Sequence, residues 1–82
     1  MKKLTLATLL IFSCVTAWAA DFYKGAAAAE AGDFDTALAE FKPLAEQGIA
    51  EAQYNLALMY DNGKGVIEDD KEAVKWYRLA AD

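Results

Sequence analysis

Residues 50–60, AEAQYNLALMY, decide the fold of this chain. Their apolar side chains recur with the spacing of one helical face, and two more flank that face. The face consists of Ala52, Leu56, Met59 and Tyr60, flanked by Tyr54 and Leu58. No period-two alternation persists anywhere in the chain, and valine and isoleucine are scarce. The segment therefore predicts a helix and the chain predicts no strand.

A second helix is expected after the turn at residues 61–65. Asp69 and Glu72 have the Asp-x-x-Glu spacing of a capping box, which predicts reciprocal hydrogen bonds at a helix start. The helix that follows carries its apolar side chains on one face. These are Ala73, Val74, Trp76, Tyr77 and Ala80.

Two more helices are expected before residue 50. Residues 22–31 are rich in alanine, the strongest helix former, and Gly32 follows them. Asp33 is a suitable N-cap for the next helix, which is expected to end at Gly48 because glycine accepts a left-handed backbone without strain. The chain is thus predicted to be two helix pairs.

The two pairs repeat each other at a separation of 36 residues, a period typical of helical solenoids. The matching positions are Ala37 and Ala73, Leu38 and Val74, Phe41 and Tyr77, and Ala45 and Ala81. We therefore predict an all-α fold, an α/α solenoid of about two helix pairs after an N-terminal signal helix.

The first nineteen residues have the three-part plan of a secretory signal peptide. Residues 1–3, MKK, are cationic, residues 4–15 are mostly apolar, and Ala17-Trp18-Ala19 puts small residues at the two positions that a signal peptidase recognises. The apolar stretch is shorter than the roughly 20 residues that span a bilayer. We expect cleavage before Ala20 and an exported protein, periplasmic or secreted.

Cys14 is the only cysteine and lies inside this signal, so the mature chain is expected to form no internal disulfide. Ile11-Phe12-Ser13-Cys14 also resembles a bacterial lipobox, in which the cysteine is lipidated and becomes the new N-terminus. This alternative stays open, and a membrane partner is expected only if Cys14 is lipidated.

Charge and composition argue against nucleic-acid binding and against catalysis. Residues 20–82 contain six basic and thirteen acidic side chains, a net charge of −7, which repels nucleic acid and anionic lipid. The chain has no histidine, and after residue 19 it has no serine or cysteine, with Thr36 as the one hydroxyl besides the tyrosines. Nucleophilic catalysis therefore lacks its side chains, and we expect no enzyme activity.

No metal or cofactor is expected either. Asp61 and Glu72 stand at the ends of a twelve-residue span, as in a calcium loop, but the intervening ligand positions hold Gly63, Gly65 and Val66. The Gly63–Gly65 turn lacks the strand and full glycine spacing of a phosphate loop. The acidic cluster at residues 68–70 is better explained by helix capping.

The sequence resembles the Sel-like repeat family, a relative of the tetratricopeptide repeats. The resemblance covers about 33 residues and rests on residues 50–60, Gly63-x-Gly65-Val66, Asp69, Ala73, Trp76-Tyr77 and Ala80-Ala81. The preceding Gly25, Gly32-Asp33-Phe34, Ala37 and Phe41 resemble the second half of a tetratricopeptide motif. After the predicted signal peptide at 1–19, the resemblance divides the chain into a degenerate tetratricopeptide-like helix pair at 20–48 and a Sel-like repeat at 49–82, cut short at its C-terminal end. Ala57 stands where the family usually has a glycine at the closest approach of the paired helices.

Proteins of this kind usually act as adaptors, so the resemblance implies an exported protein–protein interaction module with a protein or peptide partner. By analogy with tetratricopeptide arrays, the first helix of each pair lines the inner face of the superhelix. The implied contacts are Phe22, Tyr54, Leu58 and Asp61. Two alternatives stay open, a truncated N-terminal fragment of a longer solenoid with no independent function and a lipid-anchored accessory protein. Self-association through the unfinished repeat end is a further expectation.

Overall fold

The computed structural model describes residues 20–82, which form four α-helices joined by short turns. The helices are α1, Phe22–Glu30; α2, Phe34–Glu46; α3, Ala50–Asn62; and α4, Asp70–Ala81. No strand occurs within residues 20–82, so the all-α prediction is confirmed for this part of the chain. The predicted signal peptide, with its helix, its cleavage site and Cys14, lies outside the described residues.

Local side chains set the helix ends where the sequence predicts them. The carboxylate of Asp33 accepts a hydrogen bond from the Thr36 N–H at 3.3 Å, which caps α2. The carboxylate of Asp69 accepts from the main chain at Lys71 and Glu72, which caps α4. Gly48 closes α2 with a φ of 95°, a left-handed conformation that favours glycine.

The reciprocal half of the predicted capping box is wrong. The main-chain N–H of Asp69 donates to the carbonyl of Tyr60 at 2.9 Å, so the turn is tied back to α3. The carboxylate of Glu72 lies instead 3.2 Å from the Nζ of Lys75. The preceding turn also starts later than expected, because α3 continues to Asn62 and Asp61 is therefore helical.

Each helix packs against the next one along the chain. α1 with α2 and α3 with α4 form two hairpins, and the contact between α2 and α3 joins the hairpins into one core. This succession of neighbours is the architecture of an α/α solenoid, as predicted. The core residues are Ala37, Phe41, Ala45, Ala52, Leu56, Ala57, Met59 and Trp76.

The outer face of α4 is more open than the repeat predicts. Ala73 is buried like its counterpart Ala37, but Val74 is 46% exposed, and Ala81 is exposed although its counterpart Ala45 is buried. Val74 therefore shares the predicted apolar face of α4 but is not buried. The cause is the neighbour, since α3 lies against α2, whereas nothing in residues 20–82 lies on the far side of α4.

Candidate functional site

An apolar groove opens between the N-terminal end of α3 and the C-terminal end of α4. We call it the aromatic groove; its volume is about 480 Å³. It is lined by Phe22, Ala50, Glu51, Tyr54, Asn55, Tyr77, Ala80 and Ala81. A groove of this size with aromatic walls and a few polar groups is the usual form of a binding site.

Two tyrosines form the wall of the aromatic groove. The rings of Tyr54 and Tyr77 are 5.7 Å apart at an interplanar angle of 59°. Tyr54 is 52% exposed, whereas Tyr77 is half-buried. Because tyrosine offers a large rigid surface with a polar end, such rings are common anchors in protein interfaces.

Tyr77 is held in place by Asp61. Its hydroxyl donates a hydrogen bond to the Asp61 carboxylate at 3.3 Å. Burial of the phenol raises the pKa of Tyr77 above 10.0, and the negative charge of Asp61 raises this pKa further. The phenol therefore stays neutral and keeps its ring orientation at physiological pH.

Part of the groove is lined by alanines, whose small side chains leave its space open. Ala50 starts α3, and Ala80 and Ala81 lie in the last turn of α4. Their methyl groups let a partner come close to both helices. Glu51 lies at the rim, and the C-terminal end of α4 adds the negative pole of a helix, so the groove favours donors and positive groups.

The structure brings together part of the set of residues that the resemblance implies. Phe22 and Tyr54 line the aromatic groove. Asp61 does not line it, but its carboxylate accepts a hydrogen bond from Tyr77, which does. Leu58 lies elsewhere, in a hollow of about 210 Å³ against the first hairpin. Asn55 lines both spaces, which therefore adjoin.

The hollow around Leu58 is smaller and partly closed by a lysine. Phe34 and Met59 line it, and the Nζ of Lys64 lies 5.5 Å from the centre of the Phe34 ring. Such a cation–π contact covers the ring and leaves less apolar surface for a partner.

Sequence reasoning missed the contribution of α4 to the groove. It placed Trp76 and Tyr77 together on one apolar face of α4, and of these two only Trp76 is buried. Tyr77, Ala80 and Ala81 instead line the groove beside Tyr54. The available signal was the 36-residue repeat, which equates Tyr77 with Phe41 and Ala81 with Ala45, two residues that face a neighbouring hairpin.

A separate groove of about 680 Å³ lies between α2 and α4. Five of its lining residues are charged: Lys42, Glu46, Asp69, Glu72 and Lys75. Trp76 also lines it, and its buried indole N–H has no hydrogen-bond partner among the described residues. The mixed charge makes this surface a weaker candidate for apolar recognition than the aromatic groove.

Residues 20–82 contain no group of three or more acidic, histidine or cysteine side chains placed to hold a metal ion. None of their helices combines the length and apolar character needed to cross a membrane.

Successive hairpins that pack only on their neighbours, with a groove beside their first helices, define an α/α helical-repeat protein. Residues 50–82 match the Sel1 repeat family model, so this part of the chain is a Sel1 repeat. No curated protein and no solved structure matches the chain. Sel1 repeats are non-enzymatic modules that generally mediate protein–protein interactions.

Proposed function

We propose that this chain is an exported protein–protein interaction module that binds a protein or peptide partner in the aromatic groove. The observation that supports this most directly is the exposed Tyr54–Tyr77 pair above a floor of alanines. Both rings stand on helices, so little conformational entropy is lost when a partner covers them. The Sel1 repeat supports the protein partner, and the adaptor role is our extension of it.

The groove is tested by affinity capture with paired tyrosine variants. Tyr54→Glu places a charge on the wall of the groove, and Tyr23→Glu places the same charge on α1 outside it, where Tyr23 is 82% exposed. A partner captured by the wild type and by Tyr23→Glu but not by Tyr54→Glu supports the proposal. Equal capture by all three chains, or capture by none, contradicts it. Circular dichroism of each variant shows that the helices are intact.

The proposal of export rests on the sequence of residues 1–19. Cleavage would leave residues 20–82 in the periplasm or outside the cell, and the described helices start just after this point, at Phe22. The intact mass of the protein recovered from the cell envelope and medium tests this. A chain starting at Ala20 supports simple cleavage, a diacylated Cys14 supports a lipid-anchored protein, and an uncleaved cytoplasmic chain contradicts export.

We also propose the boundaries of the units. α1 and α2 fall within residues 20–48, and α3 and α4 fall within residues 49–82. The first pair would then be the degenerate tetratricopeptide-like unit and the second the Sel1 repeat, which the family match at residues 50–82 supports.

A further inference from the structure

The chain contains two asparagines, and only one of them precedes a glycine. Asn55 is followed by Leu56 in the middle of α3, whereas Asn62 is followed by Gly63 at the end of that helix. Asparagine is a chemically labile residue, because the next main-chain nitrogen can attack its side-chain amide carbon. A glycine in the next position has no Cβ atom to hinder this attack. By its sequence, Asn62 is therefore the residue of the chain most open to deamidation.

The fold holds this pair of residues in an unreactive geometry. The side-chain nitrogen of Asn62 donates to the Leu58 carbonyl at 2.9 Å, so the amide points back along α3 rather than toward Gly63. The N–H of Gly63 donates to the Met59 carbonyl, so the attacking nitrogen is engaged in the helix cap as well. Both hydrogen bonds must break before the side-chain carbon of Asn62 and the nitrogen of Gly63 can meet.

The turn after α3 keeps the same pair closed. Gly63 has a φ of 64°, a left-handed conformation that ends α3, and the Lys64 N–H donates to the same Met59 carbonyl at 2.9 Å. Glu68 packs on Gly63, since a Cβ atom on the glycine would lie 3.3 Å from the Cβ of Glu68. Glu68 directly precedes Asp69, the N-cap of α4. The N-terminal end of α4 therefore helps to hold the pair in place.

We infer that Asn62 is a latent modification site, which deamidates only when the turn after α3 opens. In this reaction the Gly63 nitrogen bonds to the side-chain carbon of Asn62, the bond from that carbon to the amide nitrogen breaks, and ammonia leaves with the Gly63 proton. Water then opens the resulting succinimide ring at either of its carbonyls and yields aspartate or isoaspartate. Both residues are exposed, so the solvent supplies this water.

The products do not fit the closed turn. Aspartate in place of Asn62 has no side-chain proton for the Leu58 carbonyl, and it adds a negative charge at the negative end of α3. Isoaspartate adds a methylene group to the main chain before Gly63, so the N–H groups of Gly63 and Lys64 shift away from the Met59 carbonyl. The modified chain should therefore be less stable than the original.

The test follows both asparagines in the same chain. The chain is incubated at neutral pH with and without urea, and peptide mapping by liquid chromatography and mass spectrometry measures aspartate and isoaspartate at each position. We expect Asn62 to react at least about tenfold faster in urea, because a folded helix end is open for only a small fraction of the time. Equal rates for Asn62 with and without urea overturn the inference.

Asn55 is the internal control for this experiment. Its side-chain nitrogen donates to the carbonyl four residues earlier, at Glu51, just as that of Asn62 does, but a leucine follows it. Asn55 should therefore stay unmodified in urea over the time in which Asn62 reacts. If Asn55 reacts as fast as Asn62 in urea, the glycine does not select the site and the inference is overturned.

Paired capping variants show whether the turn itself controls the reaction. Asp69→Ala removes the N-cap beside Glu68 and should raise the Asn62 rate in the folded chain about fivefold, the equivalent of one N-cap. Asp33→Ala removes the corresponding cap of α2, in the other hairpin, and should raise this rate much less. Circular dichroism shows that both variants are folded. Equal effects of the two variants on the Asn62 rate overturn the assignment to this turn.

A last comparison measures what the modification does to the fold. A chain that has reacted in urea and is then refolded should have a folding equilibrium constant lower by about fivefold, the value of one lost hydrogen bond. Asn62→Gln keeps a side-chain amide but closes the ring far more slowly, so the same treatment should leave its folding equilibrium constant unchanged. An equal loss of stability in this variant would place the damage elsewhere in the chain and overturn the inference.

Discussion

Gly25 is a point of close approach between α1 and α2. A Cβ atom at this position would lie 2.9 Å from the Cε1 of Phe41 and 3.1 Å from the Cβ of Glu40, and Phe41 is a core residue that is 1% exposed. Gly25→Ala should therefore destabilise the chain by about 1 kcal/mol, since overpacking costs roughly 1–3 kcal/mol and the better helix propensity returns about 1. Urea denaturation monitored by circular dichroism measures the difference.

A glycine substitution on the open side of the same helix is the matched control. Ala27 is exposed, so Ala27→Gly should cost about 1 kcal/mol through helix propensity alone. If Gly25→Ala instead stabilises the chain by that amount, the contact with Phe41 is not tight.

Asp61 should control the ionisation of Tyr77. The pKa of Tyr77 is raised above 10.0 first by burial and then by the charge of Asp61. Asp61→Asn removes that charge and should lower the Tyr77 pKa toward 10.0. Absorbance of tyrosinate during alkaline titration measures this, with Tyr77→Phe to assign the transition among the four tyrosines.

The raised pKa of Tyr77 also makes the stability of the fold depend on pH. Because the folded pKa of Tyr77 lies above its unfolded value, its contribution is fully present below about pH 10 and is lost as the pH rises through the raised pKa. Asp61→Asn should make this alkaline loss of stability smaller and complete at a lower pH, because it brings the folded pKa of Tyr77 closer to the unfolded value. A tyrosinate titration identical in Asp61→Asn and wild type would show that the carboxylate does not act on this phenol.

Among the elements, the helices and their local caps were predictable from sequence, because these depend on residues close in the chain. Asp33, Gly48 and Asp69 each act within a few positions of themselves. The failures depend on contacts between elements. Glu72 does not complete its box, because the Asp69 N–H is taken by Tyr60 of another helix.

The groove was predictable only in part for a similar reason. The resemblance pointed to α1 and α3, and two of the residues that it implies, Phe22 and Tyr54, line one groove. It could not show that α4 supplies the opposite wall, because a periodic pattern states which positions are equivalent and not which of them a neighbour covers. Val74 and Ala81, which the pattern equates with Leu38 and Ala45, are exposed because no neighbour within residues 20–82 covers them.

Gln53 links α3 to α2 through the only side-chain hydrogen bond that is buried among those found in residues 20–82. Its side chain is 6% exposed, and its amide donates to Ala45 at 3.1 Å. Gln53→Met should cost about 1 kcal/mol, the net value of one hydrogen bond, and Gln53→Glu should cost more, because it buries a carboxylate against a carbonyl oxygen. Gln47→Glu, at an exposed position, is the control. Equal stabilities for the two Gln53 variants would argue against the bond.

Trp76 packs α4 against the rest of the core, but its indole N–H is buried without a hydrogen-bond partner among the described residues. The residue is 9% exposed, and its indole nitrogen is buried without an acceptor among the described residues. Trp76→Phe removes that N–H along with part of the ring, so it should cost less than about 1.5 kcal/mol, whereas Trp76→Ala should cost about 3–5 kcal/mol. Chemical denaturation of both variants tests this. Similar losses for both would mean that the indole N–H is satisfied, for instance by bound water.

At the scale of the whole molecule, the distribution of charge opposes folding. Residues 20–82 carry a net charge of −7, and the ion pairs found among them are Lys24–Glu40 and Lys75–Glu72. Both lysines are more than half exposed, so these pairs contribute little. α1 and α2 also have no basic residue in the last turn, and each ends in an acid, Glu30 and Glu46. Those two carboxylates lie at the negative ends of their helices and add to the repulsion.

Reversing the charges of Glu30 and Glu46 should therefore stabilise the chain. The salt dependence of its thermal midpoint should show that reduced repulsion is a cause. Glu30→Lys with Glu46→Lys changes the net charge of residues 20–82 from −7 to −3 and puts cations where the helix dipoles favour them, a gain of about 0.3–1 kcal/mol at each site.

In the wild type, raising sodium chloride from about 0.01 M to 0.15 M shortens the Debye length from about 30 Å to 8 Å, so the thermal midpoint should rise as repulsion is screened. The double variant should start at a higher midpoint and respond less to salt, because it has less repulsion to screen. Its control is Glu30→Gln with Glu46→Gln, which should fall between the two. If all three chains show the same salt response, repulsion among the acidic side chains does not limit the stability of this solenoid.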